Sequence, residues 1–273
     1  DWTVSAYDQV KSYWGATHEE NWKTIKSQDF MAGTFIWTGF DYIGEPDPYP
    51  FPARSSYFGI VDLAGLPKDV YYMYQSEWSN KTVLHILPHW NWKKDQEINV
   101  WAYYNNADEV ELFLNGKSLG KKSKQNDDLH VSWKVKFEPG TLKAISRKNG
   151  KVVLEKEIKT AGEASKLNLE ADKKVIKNDT YDLVYVTVSM TDKDGILVPN
   201  AMDLINFEVT GGGKLVGVDN GYQANLESFK ANSCKLFNGK CVVIIQSNGK
   251  KEKIQLKATA ENLQASVVEV KVE

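Results

Sequence analysis

Around residues 78–81 the chain changes its periodicity, and this break limits the fold more than any other feature. From residue 82 onward, short stretches of alternating apolar and polar residues are separated by Asn-Gly, Pro-Gly and Gly-Gly signals. That pattern belongs to half-buried antiparallel strands joined by tight turns. Residues 97–103 alternate, and residues 109–114 pair with 118–121 across Asn115-Gly116. Further strands fit residues 129–137, 141–147 and 151–158, divided by Pro139-Gly140 and Asn149-Gly150. One all-β sandwich is therefore expected over residues 81–162. A polar linker at residues 161–165 leads into a second strand series at 183–190, 204–209, 241–246, 254–258 and 265–272, with Gly211-Gly212-Gly213 between two of them. The second series reads as an immunoglobulin-like sandwich over residues 163–273.

Before the break the pattern is helical and mixed. Thr17 with Glu20 three residues later forms a capping box, and Trp22, Ile25 and Lys26 continue a helical stripe that ends by Asp29. Residues 31–42 then run almost continuously apolar, which predicts a strand buried on both faces of a parallel sheet. Four prolines among residues 44–52 make an irregular loop of the kind that borders sites. Pro67 suits the first turn of a second helix over residues 68–77, with an amphipathic face at Val70, Met73, Tyr74 and Glu77. Helix, buried strand, loop and helix in that order is the closing unit of an α/β barrel, whose catalytic groups stand at the C-terminal ends of its strands. The expected fold is thus a C-terminal β/α piece of a TIM barrel over residues 1–80, followed by two all-β sandwiches.

Charge narrows the partners. With 34 basic and 36 acidic residues interspersed along the chain, nothing pulls it toward nucleic acid or an anionic membrane. No apolar run is long enough to span a bilayer, and Asp1 opens without the basic and apolar regions of a signal peptide, so the natural chain is expected to start further upstream. Cys234 and Cys241 flank Asn238-Gly239 and fit either a cross-hairpin disulfide or two reduced core thiols. The 9 Trp and 13 Tyr are concentrated in the first hundred residues. Flat rings fill cores, but they also stack on the apolar faces of sugars.

The sequences Trp14-Gly15-Ala16-Thr17 and Phe35-Ile36-Trp37-Thr38-Gly39-Phe40-Asp41-Tyr42-Ile43-Gly44-Glu45-Pro46 resemble glycoside hydrolase family 2, in particular its bacterial β-galactosidases. The similarity continues through residues 55–65, 67–69, 87–92 and 110–116, and through Asp219-Asn220-Gly221 and residues 227–230. The resemblance implies a retaining hydrolase acting on a galactoside or oligosaccharide without a cofactor. It also implies a bacterial protein that is periplasmic or exported. Retention needs two carboxyls about 5–5.5 Å apart, one as nucleophile and one as acid/base. In this family both are glutamates that precede Trp14 in chain order, so the resemblance implies that an upstream barrel segment carries them and that no catalytic residue lies in this chain. Asp8 has no nucleophile-strand motif around it.

By the same resemblance, Trp37 matches the aromatic residue that walls the subsite of the galactosyl unit. Asp41 and Glu45 follow it into the loop, where each could accept sugar hydroxyls or anchor the loop through backbone donors or Arg54. Their closeness in sequence does not make them a catalytic pair. A non-catalytic carbohydrate-binding or interaction module is the alternative, suggested by aromatics such as Trp90, Trp92 and Trp101 on the β domains, which otherwise serve in interdomain packing.

Other constellations read as structural. His85 and His89 are separated by Pro88 in a strand-like segment and share no helical metal face. Asp192-Lys193-Asp194-Gly195 opens like a calcium loop but lacks the later ligands, and reads as a tight turn. Asn80-Lys81-Thr82 and Asn178-Asp179-Thr180 match the glycosylation pattern, which carries no meaning in a bacterial protein. A barrel piece alone would leave the strand at residues 31–42 with open edges. Three covers fit: the rest of the barrel, the first sandwich, or a second copy of the chain in a homo-oligomer.

Overall fold

The computed structural model describes residues 3–273; Asp1, where the expected barrel piece begins, lies outside them. The described residues form two compact units that divide after Thr160. The first opens with α1, His18–Lys26, and α2, Asp69–Trp78. Its strands are β1 Leu84–Leu87, β2 Glu97–Tyr104, β3 Glu109–Leu114, β4 Lys117–Lys122, β5 His130–Lys136, β6 Thr141–Lys148 and β7 Lys151–Lys159. They make a three-stranded sheet in the order β1-β2-β5 and a four-stranded sheet in the order β4-β3-β6-β7. Alternation along β3 buries Val110, Leu112 and Leu114 among residues of both sheets, including Val100, Trp133 and Leu142. The Asn115-Gly116 turn joins β3 to β4 with φ of 51° and 81°, the left-handed values that these two residues tolerate best.

Residues before β1 do not form a separate core. Met73 and Tyr74 of α2 pack with Leu87, Tyr103 and Leu129, and Tyr7, Trp22, Ile36 and Trp101 close around them. The first sandwich therefore covers α2, Tyr7, Trp22 and Ile36 of this region. Thr17 caps α1 as expected, accepting the Glu20 N–H while the Glu20 carboxylate accepts the Thr17 N–H.

Residues 31–42 depart from their expected form. No strand forms there; the segment makes one isolated parallel bridge, Phe40 to Val61, and Phe35 is fully exposed. A strand buried on both faces needs ladder partners on both edges. Among the described residues only 55–61 run beside the segment, so the apolar pattern has no sheet to enter.

The second unit contains β8 Lys166–Ala171, β9 Val175–Ile176, β10 Leu183–Thr191, β11 Leu204–Thr210, β12 Gly213–Asp219, β13 Ser233–Lys235, β14 Lys240–Ser247, β15 Ile254–Thr259 and β16 Ser266–Val272. Two sheets, β12-β14-β10-β8 and β13-β11-β15-β16-β9, enclose one core. Every second residue of β10 (Val184, Val186, Val188 and Met190) is fully buried. Each such side chain contributes about 1.5–3 kcal/mol by leaving water. Cys234 and Cys241 are free thiols in this core, and the Cys234 contact together with burial pushes the Cys241 thiol well up. Asp192 forms a tight turn, accepting the N–H groups of Gly162, Asp194 and Ile196.

Candidate functional site

The first unit carries an open cleft of about 520 Å³. One wall is the segment that failed to become a strand. Backbone hydrogen bonds hold it against the chain that returns from the proline-rich loop: Thr38 N–H to Phe58 O at 3.2 Å, Ile60 N–H to Thr38 O at 3.1 Å and Asp41 N–H to Val61 O at 2.9 Å. The loop between them is closed by Gly44 N–H to Arg54 O at 2.8 Å. Gly59 allows this close approach. A Cβ there would lie 2.2 Å from the Asp41 nitrogen and 2.5 Å from the Val61 oxygen, which backbone atoms cannot concede.

Within this frame the three expected site residues separate. Trp37 lines the cleft and is 74% exposed. Its Nε1–H donates to the Tyr42 hydroxyl at 3.3 Å, and the Tyr42 hydroxyl donates in turn to the Glu45 carboxylate through a short contact. That bond to Glu45, more than burial, raises the Tyr42 pKa. The relay fixes the indole edge and leaves a face to the cleft. Glu45 also lines the cleft, with φ of 49°.

Asp41 takes a different position. Its side chain is fully buried, accepts the Gly59 N–H at 2.7 Å and pairs with the Lys68 ammonium at 2.7 Å. Lys68 also donates to the Tyr57 carbonyl at 3.2 Å. Burial lowers the Lys68 pKa and Asp41 opposes the shift. This ion pair ties the loop to the start of α2, because Lys68 is the residue that precedes the helix.

The other wall comes from the chain before α1. The Asp8 carboxylate accepts the N–H groups of His18 at 3.1 Å and Glu19 at 2.7 Å, at the positive end of the helix. The Asp8 pKa is raised, chiefly by burial, while burial lowers that of His18, whose Nδ1 lies 3.0 Å from the Tyr74 hydroxyl. Asp8 is thus occupied in holding the helix start. Tyr42, Lys68 and Gly59 are the organising residues that the sequence reading did not single out. Tyr42 sits inside the motif, but nothing in one sequence tells which hydroxyl an indole will meet.

No group of three or more His, Cys, Asp or Glu residues among the described residues is arranged to hold a metal ion. His85 pairs with Asp69 at 2.7 Å and stacks on Tyr72, while His89 stacks on Trp92. Trp90 is buried in the first sandwich and donates to the Glu138 carbonyl at 3.0 Å.

Comparison with known proteins places these features in context. Residues 167–269 match the model of glycoside hydrolase family 2 C-terminal domain 5, and residues 95–154 match a domain of unknown function. The chain is 56% identical over 269 residues to β-galactosidase BoGH2A of Bacteroides ovatus, covering 98% of this chain and 32% of that protein. It is 38% identical over 227 residues to a putative β-glucuronidase of Formosa agariphila, covering 80% of this chain and 22% of the other. A β-glycosidase structure from Bacteroides vulgatus superposes with a TM-score of 0.92 at 34% identity, covering 99% of this chain and 34% of that one. The chain spans about a third or less of the length of these relatives.

Proposed function

We propose, from the premise that the chain belongs to glycoside hydrolase family 2, that it is the C-terminal part of a retaining β-galactosidase acting on terminal β-galactosides. In this reading residues 3–80 close a (β/α)8 barrel, and the two catalytic glutamates come from the barrel segment that precedes them. Trp37 stacks on the apolar face of the galactosyl ring, and Glu45 accepts hydrogen bonds from its hydroxyls. Asp41 acts as a positioning residue: its carboxylate is spent on Lys68 and Gly59, and it holds the segment that carries Trp37. The protein would be periplasmic or exported and would need no cofactor.

The observation that carries the reading is the 56% identity to a β-galactosidase over nearly the whole chain. Charge supports a neutral sugar over a uronate. The cleft wall presents Asp8, Glu45 and Asp47 against one lysine, Lys11, and the buried Lys68 is already paired. A uronate carboxylate among these groups would meet like charge.

The test uses the full-length protein with p-nitrophenyl β-galactoside and β-glucuronide. Galactosidase activity is expected to dominate. Trp37→Ala is expected to lower kcat/KM for the galactoside by about a hundredfold, near 2.7 kcal/mol of transition-state stabilisation. A preference for the glucuronide, or an unchanged Trp37→Ala enzyme, would overturn the reading. Residues 1–273 alone are expected to give no turnover above buffer.

A further inference from the structure

The cleft has a second exposed indole that the proposed function leaves unused. Trp14 lines the same cleft as Trp37 but comes from the other wall, on the loop that leads into α1, and it is 54% exposed. This loop is built to hold a fixed shape. Asp8 fastens its far end to the α1 N–H groups, Thr17 closes the capping box, and Gly15 N–H donates to Ser12 O at 3.2 Å. Gly15 is pressed so close to Ser12 that a Cβ would lie 2.7 Å from its hydroxyl. Tyr13 meets the Trp14 ring edge-on, with centroids 4.7 Å apart and planes at 89°. Trp14 and Trp37 thus place two exposed indoles on one cleft, from opposite walls.

The surroundings specify what that partner is. Gln9, Lys11 and Asn21 line the same cleft, adding amide and ammonium hydrogen-bonding groups to it. A flat apolar face with hydrogen-bonding groups on the same wall fits a sugar ring, with C–H groups on one face and hydroxyls at the edge. The cleft, at about 520 Å³, offers more room than one sugar ring uses.

We infer that Trp14 is the stacking platform for the sugar on the leaving-group side of the scissile bond, so that the enzyme favours galactosides whose aglycone is itself a saccharide. The inference rests on the galactosidase reading above and adds a second subsite to it. Trp37 and Trp14 then divide the substrate: one holds the ring that is transferred, the other the ring that departs.

The experiment compares kcat/KM of the full-length protein on a β-galactosyl disaccharide and on β-galactosyl fluoride, which has no leaving-group ring. Trp14→Ala is expected to lose about tenfold on the disaccharide and less than twofold on the fluoride, with Trp14→Phe recovering most of the loss. Trp37→Ala is expected to lose similar factors on both. If Trp14→Ala affects both substrates equally, or neither, while the wild type cleaves both, the leaving-group role is wrong and the galactosidase reading stands. If the wild type cleaves neither, the galactosidase reading fails and takes this inference with it. Unchanged circular dichroism of Trp14→Ala separates a lost contact from a lost fold.

Discussion

Residues 31–42 and β10 are both apolar runs rich in β-branched or aromatic residues, yet they finish in opposite environments. Val184, Val186, Val188 and Met190 of β10 are fully buried, with β8 and β14 paired on its two edges. Phe35 is fully exposed and Trp37 is 74% exposed, in a segment whose backbone hydrogen bonds to residues 56–61 begin only at Thr38. Apolar pattern creates a demand for burial. Only backbone partners on both sides meet it, and the first unit provides none for residues 32–35 among the described residues.

The sharpest way to break this contrast is to place a charge at each site. Val188→Asp buries an unpaired carboxylate in the second sandwich and is expected to cost more than about 4 kcal/mol, seen as loss of its unfolding transition in urea. Phe35→Asp in residues 1–273 is expected to shift stability by less than about 0.5 kcal/mol. A large effect at Phe35 would mean that the segment has found a cover.

Lys68→Met comes next. Removing the ammonium strands the Asp41 carboxylate, and about 3 kcal/mol of local stability should be lost, measured by hydrogen exchange across residues 38–61. Adding Asp41→Asn to Lys68→Met should restore much of it. If the single variant is silent, the ion pair does not hold the cleft wall.

Smaller again is the reactivity of the thiols. Because Cys234 and Cys241 are both buried and burial and the Cys234 contact disfavour the Cys241 thiolate, neither should react with a thiol reagent until the second sandwich unfolds. Labelling under native conditions would show that this core opens as readily as the cleft wall.

Acid should produce the smallest effect and divide the two regions by pH. Burial alone would raise the Glu77 pKa, but Trp22 Nε1–H, Lys26 and Lys124 outweigh it and hold the carboxyl below its usual value. A depressed carboxyl adds stability that is complete above its unfolded value and lost as pH falls through its folded one. Protection of the α1–α2 contact should thus begin to fail below pH about 4.5. Lys173, with the Lys177 N–H, holds Asp182 of the second unit at about 2, so its contribution should begin to fall only below the ordinary aspartate value of 3.8 and be lost as pH approaches 2. Hydrogen exchange over a pH series checks both, with Glu77→Gln and Asp182→Asn each flattening its own response.

How much of this could be read from sequence varies with how local the cause is. The Asn115-Gly116 turn, the Thr17 capping box and the alternation in β3 and β10 are decided within a few residues, and all were legible. β12 follows directly on Gly211-Gly212, where the glycines read as a divider, and the pairing that makes it a strand comes from β14 far along the chain. β8 is polar at every second position and short, and it too is specified by its neighbour, β10. At the cleft, Trp37 and Glu45 were legible as a motif, whereas their link through Tyr42 depends on side-chain rotamers. The Asp41–Lys68 pair joins two elements whose approach is set by Gly59, a contact that no local pattern announces.

That pinch at Gly59 also limits which positions of this wall can be randomised. Trp37 and Glu45 face the cleft and can be changed without moving main chain, but substitution at position 59 disrupts the fold, because even alanine collides with main chain on two sides. Diversity placed on the loop tip at residues 46–52, leaving the pinch intact, would search the same surface without that loss.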